Sequence, residues 1–320
     1  RPDAPLPGLC EHLVAELARI TSYPEPAAER LVALIACRES VAPDNVLVTN
    51  GATAAIYQLA QAWSGRRSRV VIPTFSEYED AARVHGHALE FYTWRELAAD
   101  ANAVARPGEI LWLCNPNNPT GEVLARAELL AFIDDHPEAT FVIDLAYAAF
   151  CEAEPLRAGD AVARGNLVLV HSLTKNFGMP GLRLGYLVAS AAVLREVARF
   201  TVPWSVNALA IAAGEYCLRH DSRLALPLRD YLTDARRFAV ALGAIPGVEV
   251  MPSATGYFLV RLARATAAQL KADLIAQHGL LVRDASNFRG LDARTIRVAS
   301  QGPEKNTLLI AALSQWMQLH

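Results

Sequence analysis

Residues 172–186 read SLTKNFGMPGLRLGY, a stretch in which hydroxyl side chains, one lysine and one arginine stand among glycines and apolar residues. Two apolar runs, residues 167–171 and 184–189, enclose most of this stretch and predict buried strands. Its lysine, Lys175, is one of only three in the chain, beside Lys271 and Lys305, although lysine and arginine together number 30. If the protein uses a lysine covalently, the candidates are therefore few.

Apolar runs alternate with helical patterns from about residue 45 to residue 190. Most of the runs are continuous, as expected for strands that are buried on both faces of a sheet. The predicted strands are residues 46–49, 69–73, 89–93, 110–115, 141–144, 167–171 and 184–189. Helical patterns, such as residues 52–63 and 126–136, separate many of them. The alternation predicts an α/β fold with a seven-stranded, mostly parallel sheet and helices on both faces.

The pattern changes after Pro203, where two long helical segments, residues 206–220 and 222–242, follow each other. Strands are predicted at residues 248–251, 256–261 and 294–299, with helices at 267–278 and 303–319. This order is typical of a smaller α+β domain. We therefore predict a large domain over residues 28–210 and a small domain over residues 211–320. Residues 1–27 contain one predicted helix, residues 9–20, and are expected to pack on the small domain.

Composition and charge argue against several classes of protein. The 320 residues are 52% hydrophobic and 20% charged, which supports a large buried core. The net charge of −3 and the lack of a basic stripe argue against a nucleic-acid binder. No apolar run approaches the ~18 residues of a membrane helix, and the five cysteines form no C-x-x-C pair, so a cytoplasmic protein is expected. His85 and His87 lack a third ligand at zinc-site spacing, so no metal is expected.

Polar residues follow the carboxyl ends of the predicted strands, which is where ligands bind in open α/β sheets. Gly51, Ala52 and Thr53 open a helix after the first strand, and free N–H groups at a helix N-terminus bind anions such as phosphate. Later strand ends supply further donors for the same anion, namely Ser172, Thr174 and Arg183. The sequence therefore predicts an anion site at this edge of the sheet.

The remaining strand-end residues suit an aromatic ring that contains nitrogen. The carboxylate of Asp144 could hold a protonated ring nitrogen, and Asn118 and Tyr147 could hydrogen-bond a ring oxygen. Phe75 could stack on the ring, and Lys175 could form a Schiff base. A lysine Schiff base with an aspartate beside a pyridinium nitrogen is how proteins hold pyridoxal phosphate. These residues predict a pocket for pyridoxal 5'-phosphate (PLP), held covalently on Lys175.

Three motifs in this order resemble the fold-type I PLP enzymes of the aminotransferase class I/II superfamily: NPNNPTG (residues 115–121), D-x-A-Y (144–147) and SLTKNFGMPGLRLGY. In that superfamily the cofactor lysine and the phosphate-binding arginine are eight positions apart, as Lys175 and Arg183 are. Within it the chain is most similar to the branch of histidinol-phosphate aminotransferase and threonine-phosphate decarboxylase. The resemblance covers nearly the whole chain and implies the type I PLP-dependent transferase fold.

The resemblance also implies further site residues and a homodimer. Tyr23, in the segment YPEP, matches a tyrosine that reaches the cofactor phosphate of the neighbouring subunit. Arg297 matches the position that grips the substrate carboxylate, and Arg283 matches one that helps bind the substrate's anionic groups. Tyr78 is placed among the residues that line the substrate space. Lys175 is expected to act as general base and acid at the substrate α carbon. Its expected catalytic partners are Asp144 and Tyr147.

Two reactions fit this resemblance. The first moves an amino group between a small amino substrate, phosphorylated or not, and a 2-oxo acid. The second is the decarboxylation by threonine-phosphate decarboxylase, a lyase of cobalamin biosynthesis, to which the segments PTFSEYE (73–79) and RDASNFRGL (283–291) are closer. The decarboxylase's usual HGGN-like opening segment is not recognisable, and transaminases are more abundant in this branch. The transaminase is therefore ranked first, and a cofactor-binding regulator without turnover is the remaining alternative.

Overall fold

The larger of two β-sheets has seven strands, one of which runs against the rest. The computed structural model describes residues 5–100, 104–221 and 227–319. The strands of this sheet are β1 (Val46–Thr49), β2 (Arg67–Ile72), β3 (Ala88–Thr93), β4 (Ile110–Cys114), β5 (Thr140–Asp144), β6 (Leu167–Ser172) and β7 (Gly185–Val188). Their spatial order is β1-β7-β6-β5-β4-β2-β3, and β7 is antiparallel to both of its neighbours. The predicted α/β class and the seven-stranded, mostly parallel sheet are confirmed.

Helices cover both faces of this sheet because both faces are apolar. Successive residues of its strands point to opposite faces, and the side chains on each face need a layer of helices to bury them. The described helices are α1 (Leu9–Ala15), α2 (Glu29–Glu39), α3 (Ala52–Ala62), α4 (Glu77–Val84), α5 (Trp94–Ala99), α6 (Arg126–Asp134), α7 (Ala158–Val162), α8 (Leu173–Asn176), α9 (Ala191–Ala198), α10 (Ala208–Arg219), α11 (Leu228–Gly243), α12 (Ala267–His278) and α13 (Pro303–Leu319). Phe141 and Ile143 of β5 lie in one apolar core with residues of α2, α6 and α10. Val142, between them, lies in a second core with residues of α3, α4 and α9. Among these described helices, none is long and apolar enough to cross a membrane.

The smaller sheet has four strands and a separate apolar core. Its strands are β8 (Val248–Val250), β9 (Tyr257–Leu262), β10 (Arg283–Asp284) and β11 (Thr295–Ala299), in the order β10-β11-β9-β8 and all antiparallel. Phe258 and Val260 of β9 pack against residues of α11, α12 and α13, including Trp316. The opposite face of β9 and β11 is directed to the main sheet, and it carries Tyr257 and Arg297.

The N-terminal segment and α10 pack on the main sheet. Leu6 and Leu9 are buried in the same core as Ala210 and Cys217 of α10, and α1 lies against α10. The core of the small sheet contains none of these residues. The sequence places the domain boundary at residue 210, inside α10, and expects residues 1–27 on the small domain. The contacts differ from that expectation, because α10 buries its apolar face against the main sheet and carries α1 with it.

Most predicted elements lie within two residues of the observed ones, and two helices differ more. The helix expected over residues 9–20 ends at Ala15 and is followed by a 3-10 helix, Leu17–Thr21, none of whose residues is buried. Because none of its residues is buried, packing does not hold this turn in the α-helical form. The helix expected from residue 222 is described from Leu228, directly after Pro227. Residues 222–226 lie outside the described part of the chain.

An ion-pair network joins the edge strand β3 to the rest of the main sheet. Arg69 of β2 is 1% exposed, and its guanidinium lies 2.9 Å from the carboxylate of Glu90 and donates to the Tyr92 hydroxyl at 2.6 Å. It also pairs with Glu109, just before β4. A buried charge has to be paired, so these contacts compensate for the desolvation of Arg69. Arg67, two residues earlier, contacts the same carboxylates with its side chain 46% exposed.

We expect Arg69→Met to lower the free energy of unfolding by about 3 kcal/mol, since it leaves two partly buried carboxylates without their main partner. The matched control is Arg67→Met, which removes an exposed arginine from the same carboxylates and should cost less than about 1 kcal/mol. Chemical denaturation of both variants measures the difference. Equal losses of unfolding free energy in the two variants would show that burial does not determine how much Arg69 contributes to stability.

Candidate active site

Two adjoining cavities meet at Lys175, at the carboxyl-end edge of the main sheet. The sheet-edge cavity, of about 90 Å³, is lined by Ala52, Thr53, Phe75, Cys114, Asn118, Asp144, Ala146, Tyr147, Ser172, Thr174, Lys175 and Arg183. The interdomain cavity, of about 230 Å³, is lined by Tyr147, Phe150, Lys175, Tyr231, Tyr257, Arg297, Ala299 and Gln301. Lys175 and Tyr147 line both, and the Lys175 ammonium lies 5.8 Å from the centre of the Tyr147 ring. The structure thus brings together ten residues that the sequence assigns to the cofactor.

One corner of the sheet-edge cavity is built to receive an anion. Gly51, at φ 89°, precedes the first turn of α3, and a Cβ on it would lie 2.9 Å from the guanidinium of Arg183. Arg183 itself takes the left-handed conformation, at φ 57° and ψ 75°, which is uncommon for a residue with a side chain. The hydroxyls of Ser172 and Thr174 lie 2.9 Å apart at the same corner. Helix N–H groups, two hydroxyls and a guanidinium make a donor set suited to phosphate.

Gly185 allows the elements of this corner to meet. It is the first residue of β7, and a Cβ on it would lie 2.6 Å from the backbone N of Ala52 and 2.7 Å from the backbone O of His171. Real Cβ atoms do not come that close to backbone atoms, so only glycine fits between the start of α3 and the end of β6. The antiparallel strand β7 therefore passes directly beside the N-terminus of α3.

Asp144 ends β5 as a buried carboxyl group, with 4% of the residue exposed. Its Oδ2 accepts a 2.7 Å hydrogen bond from the Tyr78 hydroxyl, and its Oδ1 accepts a 2.8 Å bond from the backbone N–H of Ala146. Burial raises the pKa of Asp144, while these two bonds and the charge of Lys175 act in the opposite direction. An ionised carboxylate here is best satisfied by a cationic N–H group in the cavity.

Hydrogen bonds from two of its three asparagines anchor the loop NPNNPTG (residues 115–121). The Asn115 amide exchanges hydrogen bonds with the backbone of Leu124, and the Asn117 amide bonds Thr74, Thr120 and the carbonyl of Pro73. Asn118 is the one that lines the sheet-edge cavity, and its Oδ1 accepts a hydrogen bond from Arg297 of β11. The loop thus presents one amide to the cavity.

The interdomain cavity contains residues that the sequence-based prediction did not include. Arg297 is the only predicted residue that the small sheet contributes to it, and its guanidinium lies 5.4 Å from the centre of the Tyr257 ring. The residues missing from the prediction are Phe150, Tyr231, Tyr257, Ala299 and Gln301. Tyr257 pairs with Ala299 across β9 and β11, two positions from the pair of Leu259 and Arg297. The sequence does not specify this register, which is what places Tyr257 and Arg297 on one face.

Three predicted site residues lie elsewhere in this structure. Tyr78, expected to line the substrate space, is 1% exposed and lies behind Asp144, because α4 packs its ring against Trp112 at 5.9 Å between centres. Arg283 bonds the Asn287 amide at 3.2 Å and lines a third cavity, of about 580 Å³, instead of the two at Lys175. Tyr23 is 87% exposed and stands beside Trp204.

The donor set fits PLP. A primary amine lies between the cavities, a buried carboxylate suits a protonated ring nitrogen, and the corner at α3 suits a phosphate. Within residues 5–100, 104–221 and 227–319 no three histidine, cysteine or acidic side chains are grouped to hold a metal ion.

In the cofactor-free protein, Asp144→Asn should stabilise the fold at pH 8. Because the folded protein raises the pKa of Asp144, the ionised form costs stability above the pKa of the unfolded chain. This cost shrinks as the pH falls through the raised pKa of the folded protein, and it is gone only below ~3, where the carboxyl is protonated in both states. The advantage of the variant should therefore shrink on acidification. Thermal unfolding between pH 4 and pH 8 measures it.

Asp292→Asn is a control of opposite sign. Burial raises the pKa of Asp292, but hydrogen bonds from Arg261, Arg294 and Thr295 outweigh it and hold the pKa at about 2. This variant should lose stability at pH 8 and approach the wild type as the pH falls. If Asp144→Asn behaves like Asp292→Asn, the ionised Asp144 is already compensated without a ligand.

Comparison with known proteins agrees with this geometry. The family model for aminotransferase class I and II matches residues 16–313. The crystal structure of L-threonine-O-3-phosphate decarboxylase from Porphyromonas gingivalis has a TM-score of 0.96 and 45% sequence identity, covering 99% of this chain and 97% of that one. Threonine-phosphate decarboxylase of Salmonella typhimurium is 33% identical over 94% of this chain and 85% of its own length. Histidinol-phosphate aminotransferase of Symbiobacterium thermophilum is 32% identical over 98% and 87%.

These similarities extend over nearly the whole chain and include both sheets. PLP is the cofactor of the family, and the two cavities at Lys175 supply the amine, carboxylate and anion corner that it needs. The chain therefore belongs to the aminotransferase class I and II family of PLP-dependent enzymes.

Proposed function

We propose that the protein is a PLP-dependent decarboxylase that acts on a phosphorylated amino acid of the threonine-phosphate type. The observation that supports this most is the 45% identity, over almost the full length of both chains, to an L-threonine-O-3-phosphate decarboxylase. Among solved structures, a histidinol-phosphate aminotransferase from Clostridium acetobutylicum is 23% identical over 99% of this chain. We therefore rank the decarboxylase first, whereas the sequence alone favours the transaminase.

In this proposal the residues of the sheet-edge cavity hold the cofactor. Lys175 would bind it covalently, and Asp144 would pair with its ring nitrogen. Phe75 would form one wall, and Asn118 and Tyr147 would bond the ring oxygen. The phosphate would be held by the corner made by the following residues: Gly51, Ala52, Thr53, Ser172, Thr174 and Arg183. When bound, PLP withdraws electrons from the substrate α carbon.

The interdomain cavity orients the substrate. Arg297 presents a guanidinium that can bind a carboxylate through two parallel hydrogen bonds, and it reaches as far as Asn118 and Tyr147 in the cofactor cavity. It can therefore fix the carboxylate close to Lys175. The Lys175 amine, at the meeting point of the two cavities, is placed to deliver a proton to the α carbon after the carboxylate leaves.

The third cavity supports a phosphorylated substrate. Its lining includes Arg283 and the other two lysines of the chain, Lys271 and Lys305, and contains no acidic residue. It shares Arg297, Ala299 and Gln301 with the interdomain cavity. A substrate with a carboxylate at Arg297 and an anionic group at its other end would meet basic side chains in both directions. Arg283 would then lie near the far end of the substrate.

Transamination is the second candidate, and a homodimer is proposed for both. Transamination is supported by the histidinol-phosphate aminotransferase relative, which matches 98% of this chain, and it would add a 2-oxo acid as the second substrate. The homodimer is supported by Tyr23, whose ring is exposed at the surface and free to reach the cofactor phosphate of a neighbouring subunit. A cytoplasmic location stays a prediction from the five free cysteines.

A single-turnover experiment without any 2-oxo acid distinguishes the two reactions. We expect O-phospho-L-threonine to release carbon dioxide while the visible absorbance of the bound cofactor persists. Accumulation of pyridoxamine phosphate with histidinol phosphate, and no carbon dioxide, would contradict the proposal and indicate a transaminase. Lys175→Ala is the control and should give neither product.

Arg183→Gln should weaken PLP binding about tenfold or more, because it removes a charged donor from the phosphate corner. Binding of pyridoxal, which lacks the phosphate, should stay unchanged. Arg195→Gln, in the exposed part of α9, is the matched control and should alter neither affinity. A parallel loss with both ligands would mean that Arg183 acts on the shape of the cavity and not on the phosphate. Titration of the cofactor-free protein gives all the constants.

A further inference from the structure

We propose that Tyr78 is a positioning residue for the cofactor, because its hydroxyl fixes the Asp144 carboxylate in the orientation that receives the ring nitrogen. The inference rests on the role proposed above for Asp144. Tyr78 does not line either cavity at Lys175, so its hydroxyl acts through the carboxylate, while its ring packs edge-to-face on Phe75 with 5.9 Å between centres.

The two hydrogen bonds to Asp144 divide its oxygens. Oδ2 accepts from Tyr78 at 2.7 Å and Oδ1 from the backbone of Ala146 at 2.8 Å. Each oxygen keeps a further lone pair, and Asp144 lines the sheet-edge cavity. The Ala146 bond alone would leave the plane of the carboxylate able to rotate about the Cβ–Cγ bond of Asp144. The bond from Tyr78, on the opposite oxygen, removes that freedom.

The Tyr78 hydroxyl donates its hydrogen bond to Asp144. Burial is the main cause that raises the pKa of Tyr78 well above its usual value, and the charge of Asp144 raises it further. Cys114, a further ionisable neighbour of this pair, also keeps its proton, because burial raises the pKa of its thiol. The phenol therefore remains protonated and favours the anionic carboxylate, which is the form that pairs with a protonated ring nitrogen.

The ring of Tyr78 is itself held from behind by a buried polar chain. It stacks on Trp112 with an angle of 19° between the planes. The Trp112 indole donates to the Ser68 hydroxyl at 2.9 Å, and Ser68 contacts Nδ1 of His87 at 2.8 Å. Nε2 of His87 lies 2.8 Å from the carbonyl O of Ala60, so it must carry the proton, and Nδ1 accepts from Ser68. Each hydrogen bond in this chain therefore has a defined donor and acceptor, and together they fix the orientation of the Trp112 ring on which Tyr78 stacks.

The test compares PLP with its analogue in which carbon replaces the ring nitrogen. The variant is Tyr78→Phe, which keeps the stacked ring and removes only the hydroxyl. We expect its preference for PLP over the carbon analogue, measured as the ratio of the two dissociation constants, to fall about tenfold. Because both ligands are measured on the same variant, a general loss of stability cancels from the ratio.

Two further variants separate the possible failures. Tyr92→Phe removes a half-buried phenol that donates to Glu90 at 2.8 Å and lines neither cavity at Lys175, so it should leave the ratio unchanged. Asp144→Asn should reduce the ratio at least as much as Tyr78→Phe. If Asp144→Asn reduces it and Tyr78→Phe does not, Tyr78 is only a packing residue and the inference is wrong. If Asp144→Asn leaves the ratio unchanged, the proposed role of Asp144 fails first.

Discussion

The carboxylate of Asp144 lies at the end of the central strand β5, between the two apolar cores that cover the main sheet. A charge in such surroundings is stable only with hydrogen bonds and a counter-charge. Tyr78 and Ala146 supply the hydrogen bonds, and Lys175 supplies part of the counter-charge. In the proposed function, a protonated ring nitrogen would complete the set, and the cofactor would stabilise a group that the fold alone disfavours. Function would then take precedence over stability at this position.

Residues 172–186 satisfy a second constraint, which is that the lysine and the phosphate corner must lie at the same edge. The segment leaves β6 at Ser172, forms the short helix α8 with Lys175, and returns as the antiparallel strand β7. Gly185 lets β7 pass against the first residues of α3, and Arg183 reaches the same corner from a left-handed backbone conformation. One short segment thus positions both the amine and the guanidinium relative to a helix N-terminus more than a hundred residues earlier in the chain.

The sequence predicts the main sheet and most of the sheet-edge cavity because both depend on local signals. Continuous apolar runs mark buried strands, and the polar residue that ends each run marks the edge where they meet. Tyr78 and Phe75 show where this reasoning stops. Both follow the same strand, yet only Phe75 lines the cavity, since α4 turns Tyr78 back under Asp144. The rotation of α4 about its own axis depends on the packing of Tyr78 against Trp112, which no local sequence pattern specifies.

The interdomain cavity is less predictable for the same reason. Its aromatic wall depends on the register of β9 against β11 and on where α11 places Tyr231, and both are set by contacts between segments distant in the chain. The family resemblance identifies Arg297, whereas Tyr257, on the neighbouring strand, lies in none of the motifs that carry this resemblance. The direction of the Arg283 side chain, towards Asn287 instead of Lys175, likewise follows from the short strand β10.

The proposed function depends on Lys175, which would carry PLP as the active amine of this enzyme. The most direct measurement is reduction of the cofactor-loaded protein with borohydride, followed by mass mapping of the modified peptide. With only three lysines in the chain, the result is unambiguous. We expect one cofactor per chain, on Lys175. Modification of Lys271 or Lys305, or no covalent attachment in a protein that binds the cofactor, would contradict it.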